Sequence, residues 1–197
     1  MKLLEVCEQL VKHARKAGAA EAEAYAERTR DSSVRVRDGE VEELQQASSK
    51  GVGLRVISGG RLGFAYGTDF SKAGLQQLAA RATALAKGAA RDPANRLPRG
   101  AQLGKGVEGE YDPAIAEIAP EWKLSAARAA EQGARAEDAR VRKFDSTGAG
   151  DFLSESAIAS SLGAAGESRA SYAYVYCSPV AEADGQLQTA SNTHRHR

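Results

Sequence analysis

Histidine is scarce in this chain: His13, His194 and His196 are the full set of three. A zinc site needs three or four convergent ligands, and catalytic helices supply histidines one turn apart, so no metal centre is legible. His13 sits beside Lys12 and Arg15 and reads as solvent-facing. His194 and His196 fall in the terminal Thr-His-Arg-His-Arg, which reads as a frayed tail with at most weak, adventitious metal binding. Aromatics are only 6% of residues, too few for the stacking platforms that hold single-stranded nucleic acid. Nor is there an excess charge of either sign, with 27 basic against 26 acidic residues. That balance gives no long-range pull toward phosphates or anionic membranes, so neither nucleic acid nor membrane is an expected partner. There is no apolar run of about 18 residues, and Glu5, Glu8 and Lys12 break up the N-terminal segment where a secretory signal would lie. Cys7 and Cys177, the two cysteines, lie at opposite ends in apolar settings and read as free thiols of a cytoplasmic protein.

What is present is periodicity. Leu3, Cys7, Leu10, Ala14 and Ala17 mark one face of a helix, stopped by Gly18. From Glu21 to Arg30 the period becomes two, with Ala22, Ala24 and Ala26 on one face, and a second strand carries Val34 and Val36. Asp38 and Gly39 form a hairpin turn, since Asp-Gly tolerates positive φ at both central positions, and Val41–Ser48 is the returning strand. Val52, Leu54 and Val56 share one side of the next strand, with Gly53 and Arg55 on the other. Gly59 and Gly60 make a second tight turn before Leu62, Phe64 and Tyr66 alternate with Gly63, Ala65 and Gly67. The small residues leave one face of this hairpin flat enough for another backbone to approach. Ser71 can cap a helix with Leu75, Leu78, Ala82 and Leu85 as its seam.

Residues 91–112 are irregular, either a loop over a working face or a linker. Pro113 and Pro120 stand near helix starts, and 121–136 is alanine-rich and helical. Three strands are then expected, 141–145, 151–160 and 168–181, the last with Tyr172, Tyr174 and Tyr176 on one face. The order predicts an α+β fold, a mixed or antiparallel sheet with helices packed on one side. Its organisation is read as a first lobe over 1–90, a linker over 91–112, a second segment over 113–190 and a tail over 191–197.

No catalytic set accompanies these elements. Cys177 has no histidine near it except in the tail, and reads as structural. The glycines from Gly51 to Gly63 lack the Lys-Ser/Thr ending of a phosphate loop and precede a strand. Glu42 and Glu43 are adjacent on a strand, point to opposite faces and cannot converge on one atom. Arg55, a charge on the glycine face, reads either as a carboxylate or carbonyl anchor or as a surface salt bridge. The candidate peptide-facing residues are Gly51, Gly53, Arg55 and Gly63, with Asp38, Gly39, Gly59 and Gly60 as structural turns.

The block from Val34 to Lys87 resembles the N-terminal domain of the TldD/PmbA family, the modulators of DNA gyrase. The likeness rests on Asp-Gly-Glu-Val-Glu (38–42), Gly-Val-Gly-Leu-Arg-Val (51–56), Gly-Arg-Leu-Gly-Phe-Ala (60–65) and the alanine-rich helix that follows. Residues 111–141 resemble the PmbA (TldE) half more than the TldD half. The resemblance implies a cytoplasmic zinc metalloprotease system in which TldD-like and PmbA-like chains pair and act on extended peptides. Its His-Glu-x-x-x-His motif belongs to the C-terminal half of the TldD-like chain and is absent here, so no catalytic or metal residue carries over. The implied reading is a non-catalytic N-terminal domain without cofactor of its own, which meets an extended peptide and a TldD-like subunit or a second copy. A stand-alone regulator or an inactive remnant are the alternatives. After Gln188 the chain departs from the family pattern, which predicts a truncation, frameshift or cloned fragment.

Overall fold

The computed structural model describes residues 1–99 and 109–196. In chain order the elements are α1 (Leu3–Lys16), β1 (Glu21–Arg37), β2 (Glu40–Ser58), β3 (Arg61–Gly67) and α2 (Lys72–Gly88). A 3-10 turn (Pro113–Glu117) leads to α3 (Pro120–Glu137), β4 (Val141–Ser160), β5 (Ala165–Ala183), β6 (Gln186–Thr189) and β7 (Asn192–His196). The strands are ordered β3-β2-β1-β4-β5-β6, with β7 also on β5. The fold is α+β, with an antiparallel sheet built from hairpins.

Fewer and longer strands form than the periodicity suggests. Residues 21–30 and 34–37 are one strand, as are 41–48 with 51–57, and 141–145 with 151–160. The polar and glycine residues between them interrupt the apolar alternation, but none adopts positive φ, so the backbone stays extended through them. The chain also forms two compact units. One unit comprises Met1–Arg28, Ser49–Gly106 and Ser154–Arg169; the other comprises Thr29–Ser48, Val107–Leu153 and Ala170–Arg197. The long strands give one end to each unit, which is why the segments interleave. Of the expected linker, residues 100–108 lie outside the described residues.

In the first unit, α1 and α2 pack on one face of the sheet. Val6, Cys7, Leu10 and Ala14 of α1 meet Ala22, Ala24 and Ala26 of β1, Val52, Leu54 and Val56 of β2, and Ala157 and Ala159 of β4 in one core. Alanine on the sheet side lets the helices seat closely, and each buried Leu or Val contributes roughly 1.5–3 kcal/mol. Ala17 is exposed as the cap of α1, and Gly18 turns the chain at φ +97°. The hydroxyl of Ser71 accepts the Gly74 amide at 3.1 Å, capping α2 as expected. Along α2 the buried seam runs Leu75, Leu78, Ala79, Ala82 and Ala86, whereas Leu85 is 51% exposed. At 3.6 residues per turn, Ala86 rather than Leu85 stands over Ala82.

In the second unit, α3 packs Ala127, with Leu124 and Ala126, against Val34, Val36, Ala149 and Val175. It also grips the first hairpin turn. Asp38 and Gly39 have φ of +52° and +79°, and their amides donate to the buried Glu131 carboxylate at 3.2 and 2.7 Å. Arg128 donates to the Gly39 carbonyl at 2.7 Å, and Arg135 pairs with Asp38. A second Asp-Gly pair, Asp184 and Gly185, repeats this geometry at φ +51° and +72° between β5 and β6. Residues 192–196, expected as a frayed tail, are instead strand β7, paired from Ala173↔His196 to Cys177↔Asn192. β6 keeps the same register on β5 from Val180↔Thr189 onward. The break between them lies opposite Pro179, whose carbonyl accepts the Ala190 amide at 3.2 Å but which has no N–H to return.

Candidate peptide-facing surface

The β2–β3 hairpin sorts its residues by parity. Its register is Gly53↔Tyr66, Leu54↔Ala65, Arg55↔Phe64 and Val56↔Gly63. Leu54, Val56 and Ala65 are buried on the helix side. Phe64 and Tyr66 stand on the outer side, 55% and 75% exposed, joined by Tyr25 of β1. Gly53 lies beneath Phe64: a Cβ there would meet the ring at 3.3 Å. Gly51 follows the same alternation, with only the Gly67 carbonyl near a would-be Cβ. Tyr25, Glu27, Lys50, Gly51, Gly53, Phe64 and Tyr66 border a shallow depression of about 400 Å³. Phe64 and Tyr66 are tilted neighbours with centroids 6.3 Å apart.

The structure therefore separates the four candidate residues. Gly51, Gly53 and Arg55 share the outer face, and Gly63 lies on the inner one. A Cβ at Gly63 would overlap the Ala82 carbonyl and come within 2.5 Å of the Ala86 amide. The backbone that its small size admits is that of α2. Arg55 is held by Glu23 at 2.6 Å, the salt-bridge alternative of its two readings. Gly59 and Gly60 turn at φ +61° and +76°. Gly60 is also pressed by the Asp92 carbonyl, 2.7 Å from a would-be Cβ, because residues 91–95 fold back on this turn. Along the free edge of β3, the one bridge among the described residues is Arg61↔Arg91.

Other singled-out side chains have plain roles. Cys7 is fully buried, its thiol donating to the Ala157 carbonyl at 3.4 Å, and burial pushes its pKa up to about 12. Cys177 is a free thiol beside Thr147, half-buried rather than buried, and also pushed up by burial. Burial and then the neighbouring lysines, Lys16 first, lower the pKa of His13. Glu42 and Glu43 meet different nitrogens of one guanidinium, Arg35 Nε at 3.0 Å and Nη2 at 2.7 Å, and do not converge on one atom. The tyrosine stripe forms a ladder with Phe152, Tyr172, Tyr174 and Tyr176 in sequence, and Gly148 and Gly150 leave the space that the last two rings occupy.

One constellation escaped the sequence. Lys123 of α3 and Asp151 of β4 form an ion pair with side chains 3% and 0% exposed. Lys123 also donates to Ser32 at 2.7 Å, and Arg30 reaches Asp151 at 3.4 Å and the Ala116 carbonyl at 2.7 Å. A lysine on a helix reads as solvated; only Asp151, a carboxylate within the small-residue run Gly-Ala-Gly-Asp, hinted otherwise. Among the described residues no three histidine, cysteine or carboxylate side chains converge as metal ligands. No described helix is long and apolar enough to cross a membrane.

Residues 22–86 match the model of the PmbA/TldA metallopeptidase domain 1, and residues 113–195 match the PmbA/TldA metallopeptidase central domain. Among solved structures, TldE from Thermococcus kodakarensis is similar at TM-score 0.84 and 20% identity, over 96% of this chain and 42% of that one. A candidate modulator of DNA gyrase from Bacteroides thetaiotaomicron is similar at TM-score 0.86 and 22% identity, over 97% and 44%. A third, from Thermotoga maritima and described in the same way, has TM-score 0.80 and 20% identity, over 98% and 43%. The chain thus spans less than half of each of these proteins. No curated protein matches it. With both family models matched in order along the chain, it belongs to the TldD/PmbA family.

Proposed function

We propose that this chain is a non-catalytic N-terminal portion of a TldD/PmbA-type metallopeptidase-like protein, shaping the path of an extended peptide and an interface with a partner. The observation that carries this reading is the outer face of the β2–β3 hairpin. Exposed Phe64, Tyr66 and Tyr25 border one depression with Gly51 and Gly53, Phe64 lying over Gly53, next to the free edge of β3. A peptide added to that edge gains main-chain hydrogen bonds, and its alternate side chains fall beside the aromatic rings. Such recognition is independent of sequence, as a protease system acting on unfolded substrates requires. Arg55, on the same face, is held by Glu23 at 2.6 Å.

The test is peptide binding and cleavage in the full-length protein carrying Gly53→Val. The branched side chain displaces Phe64 and is expected to weaken both. Unchanged binding and cleavage would overturn the reading. For the chain alone, an extended peptide is expected to slow amide exchange in 62–67. Stable capture of a folded partner without any peptide effect would favour the stand-alone regulator instead.

A further inference from the structure

The inner side of edge strand β3 carries only small residues, Gly63, Ala65 and Gly67, and α2 lies directly over them. A Cβ on Gly67 would meet Leu78 at 3.8 Å, and one on Gly63 would overlap the Ala82 carbonyl, so the helix runs back along the strand. One helical turn of about 5.4 Å then stands beside two strand residues of about 6.8 Å. α1 packs on one flank of α2, and the other flank overhangs the free edge of β3. There Gln77, Leu78 and Arg81 border, with Tyr66, Gly67 and Thr68, a depression of about 410 Å³. Leu85, one turn beyond Arg81 on the same flank, is 51% exposed. Arg81 is exposed and has no hydrogen bond or ion pair among the described residues. Asp69 also borders the depression, but its carboxylate is engaged by the amide and hydroxyl of Ser71 at 2.8 and 3.0 Å.

We infer that this flank of α2 reads alternate side chains of the bound peptide: Arg81 takes an acidic side chain, and Leu85 takes an apolar one two residues away. Such selection rests on the peptide reading of the same edge. A strand added to β3 points the side chains opposite Phe64 and Tyr66 outward, and those opposite Gly63, Ala65 and Gly67 inward. The outward set meets the aromatic rings. The inward set cannot lie above β3, where α2 already sits, and falls against the overhanging flank. At about 1.5 Å per helical residue, Arg81 stands level with Gly67 and Ala65, and Leu85 with the next inward position toward Gly63. Beyond that, the bridge of Arg61 to Arg91 closes the end of the edge. An acidic side chain is the complement of a cation that lacks a partner. Main-chain pairing supplies affinity blind to sequence, and the flank adds a preference to it.

Fluorescence anisotropy with the full chain tests it, using two labelled peptides rich in serine and threonine. One carries Glu with Leu two residues on, and the other carries Lys in place of that Glu. The wild type is expected to bind the Glu peptide about 5-fold tighter, a surface-pair effect that fades at high salt. Arg81→Glu is expected to reverse the preference, Arg81→Ala to abolish it, and Leu85→Ser to weaken both peptides alike. Circular dichroism checks that each variant is folded. Equal binding of the two peptides by the wild type, a preference that survives Arg81→Glu, or unchanged binding by Leu85→Ser overturns the inference. Gly53→Val tells its failure from that of the peptide path. If Gly53→Val weakens both peptides while Arg81→Glu changes neither, the path stands and the side-chain selection falls. If neither peptide binds the wild type, the path falls and the selection falls with it.

Discussion

At the residue scale, two glycines predict opposite outcomes. Gly63 faces the backbone of α2, whose Ala86 amide lies 2.5 Å from a would-be Cβ, so Gly63→Val must push the helix off the sheet. Urea unfolding is expected to show a loss of about 3 kcal/mol, at the upper end of overpacking costs. Gly133, within α3 and with nothing within 4 Å of a would-be Cβ, is the reverse case. Gly133→Ala should gain roughly 0.5–1 kcal/mol through helix propensity. Neither sign was legible beforehand, because both glycines sit in regular elements and only the neighbour decides. Cys7 makes a pH prediction. Its pKa is raised from 9.0 to about 12 by burial, so above 9 the unfolded chain releases this proton and the folded one keeps it. The contribution is fully present below pH 9.0 and is lost as pH rises toward 12. Stability measured across that window should fall less steeply in Cys7→Ala than in the wild type.

At the scale of elements, the docking of α3 is the sharpest case. It rests on a small apolar patch, the bonds of Glu131 and Arg128 to the Asp38-Gly39 turn, and the ion pair of Lys123 with Asp151. Lys123→Met leaves Asp151 fully buried with Arg30 alone at 3.4 Å, and is expected to cost about 3–5 kcal/mol in urea unfolding. Adding Asp151→Leu should recover part of that loss, since no uncompensated charge is left. A single variant with wild-type stability would remove this pair from the forces that hold α3. The helix itself was readable from Pro120 and the alanine-rich run, but its anchor was not. Hairpin turns were the opposite: Asp38-Gly39 stated its geometry outright. Asp184-Gly185 carried the same signal and marks the start of β6, in a region read as running into a tail. The gap between β6 and β7 follows from the missing amide of Pro179, again a local cause visible only once the register is known.

At the scale of the whole chain, His194 and His196 of β7 offer two ligands, short of the three a zinc centre needs. The purified chain is expected to carry no stoichiometric zinc by elemental analysis and to leave peptides uncut. Stoichiometric zinc together with cleavage would overturn the non-catalytic reading. The sequence by itself determined the α+β class, the glycine turns, the capped α2 and the family, because these rest on local periodicity, φ requirements and short motifs. Only the tertiary structure decided the rest. Strand length depends on partners across the sheet, so segments read as separate strands fused and the units interleaved. Facing depends on what covers each side, so Gly63 went to α2 while Gly51 and Gly53 stayed on the open face. Which edges stay unpaired depends on where β3, β6 and β7 stop, and no single segment of sequence carries that information.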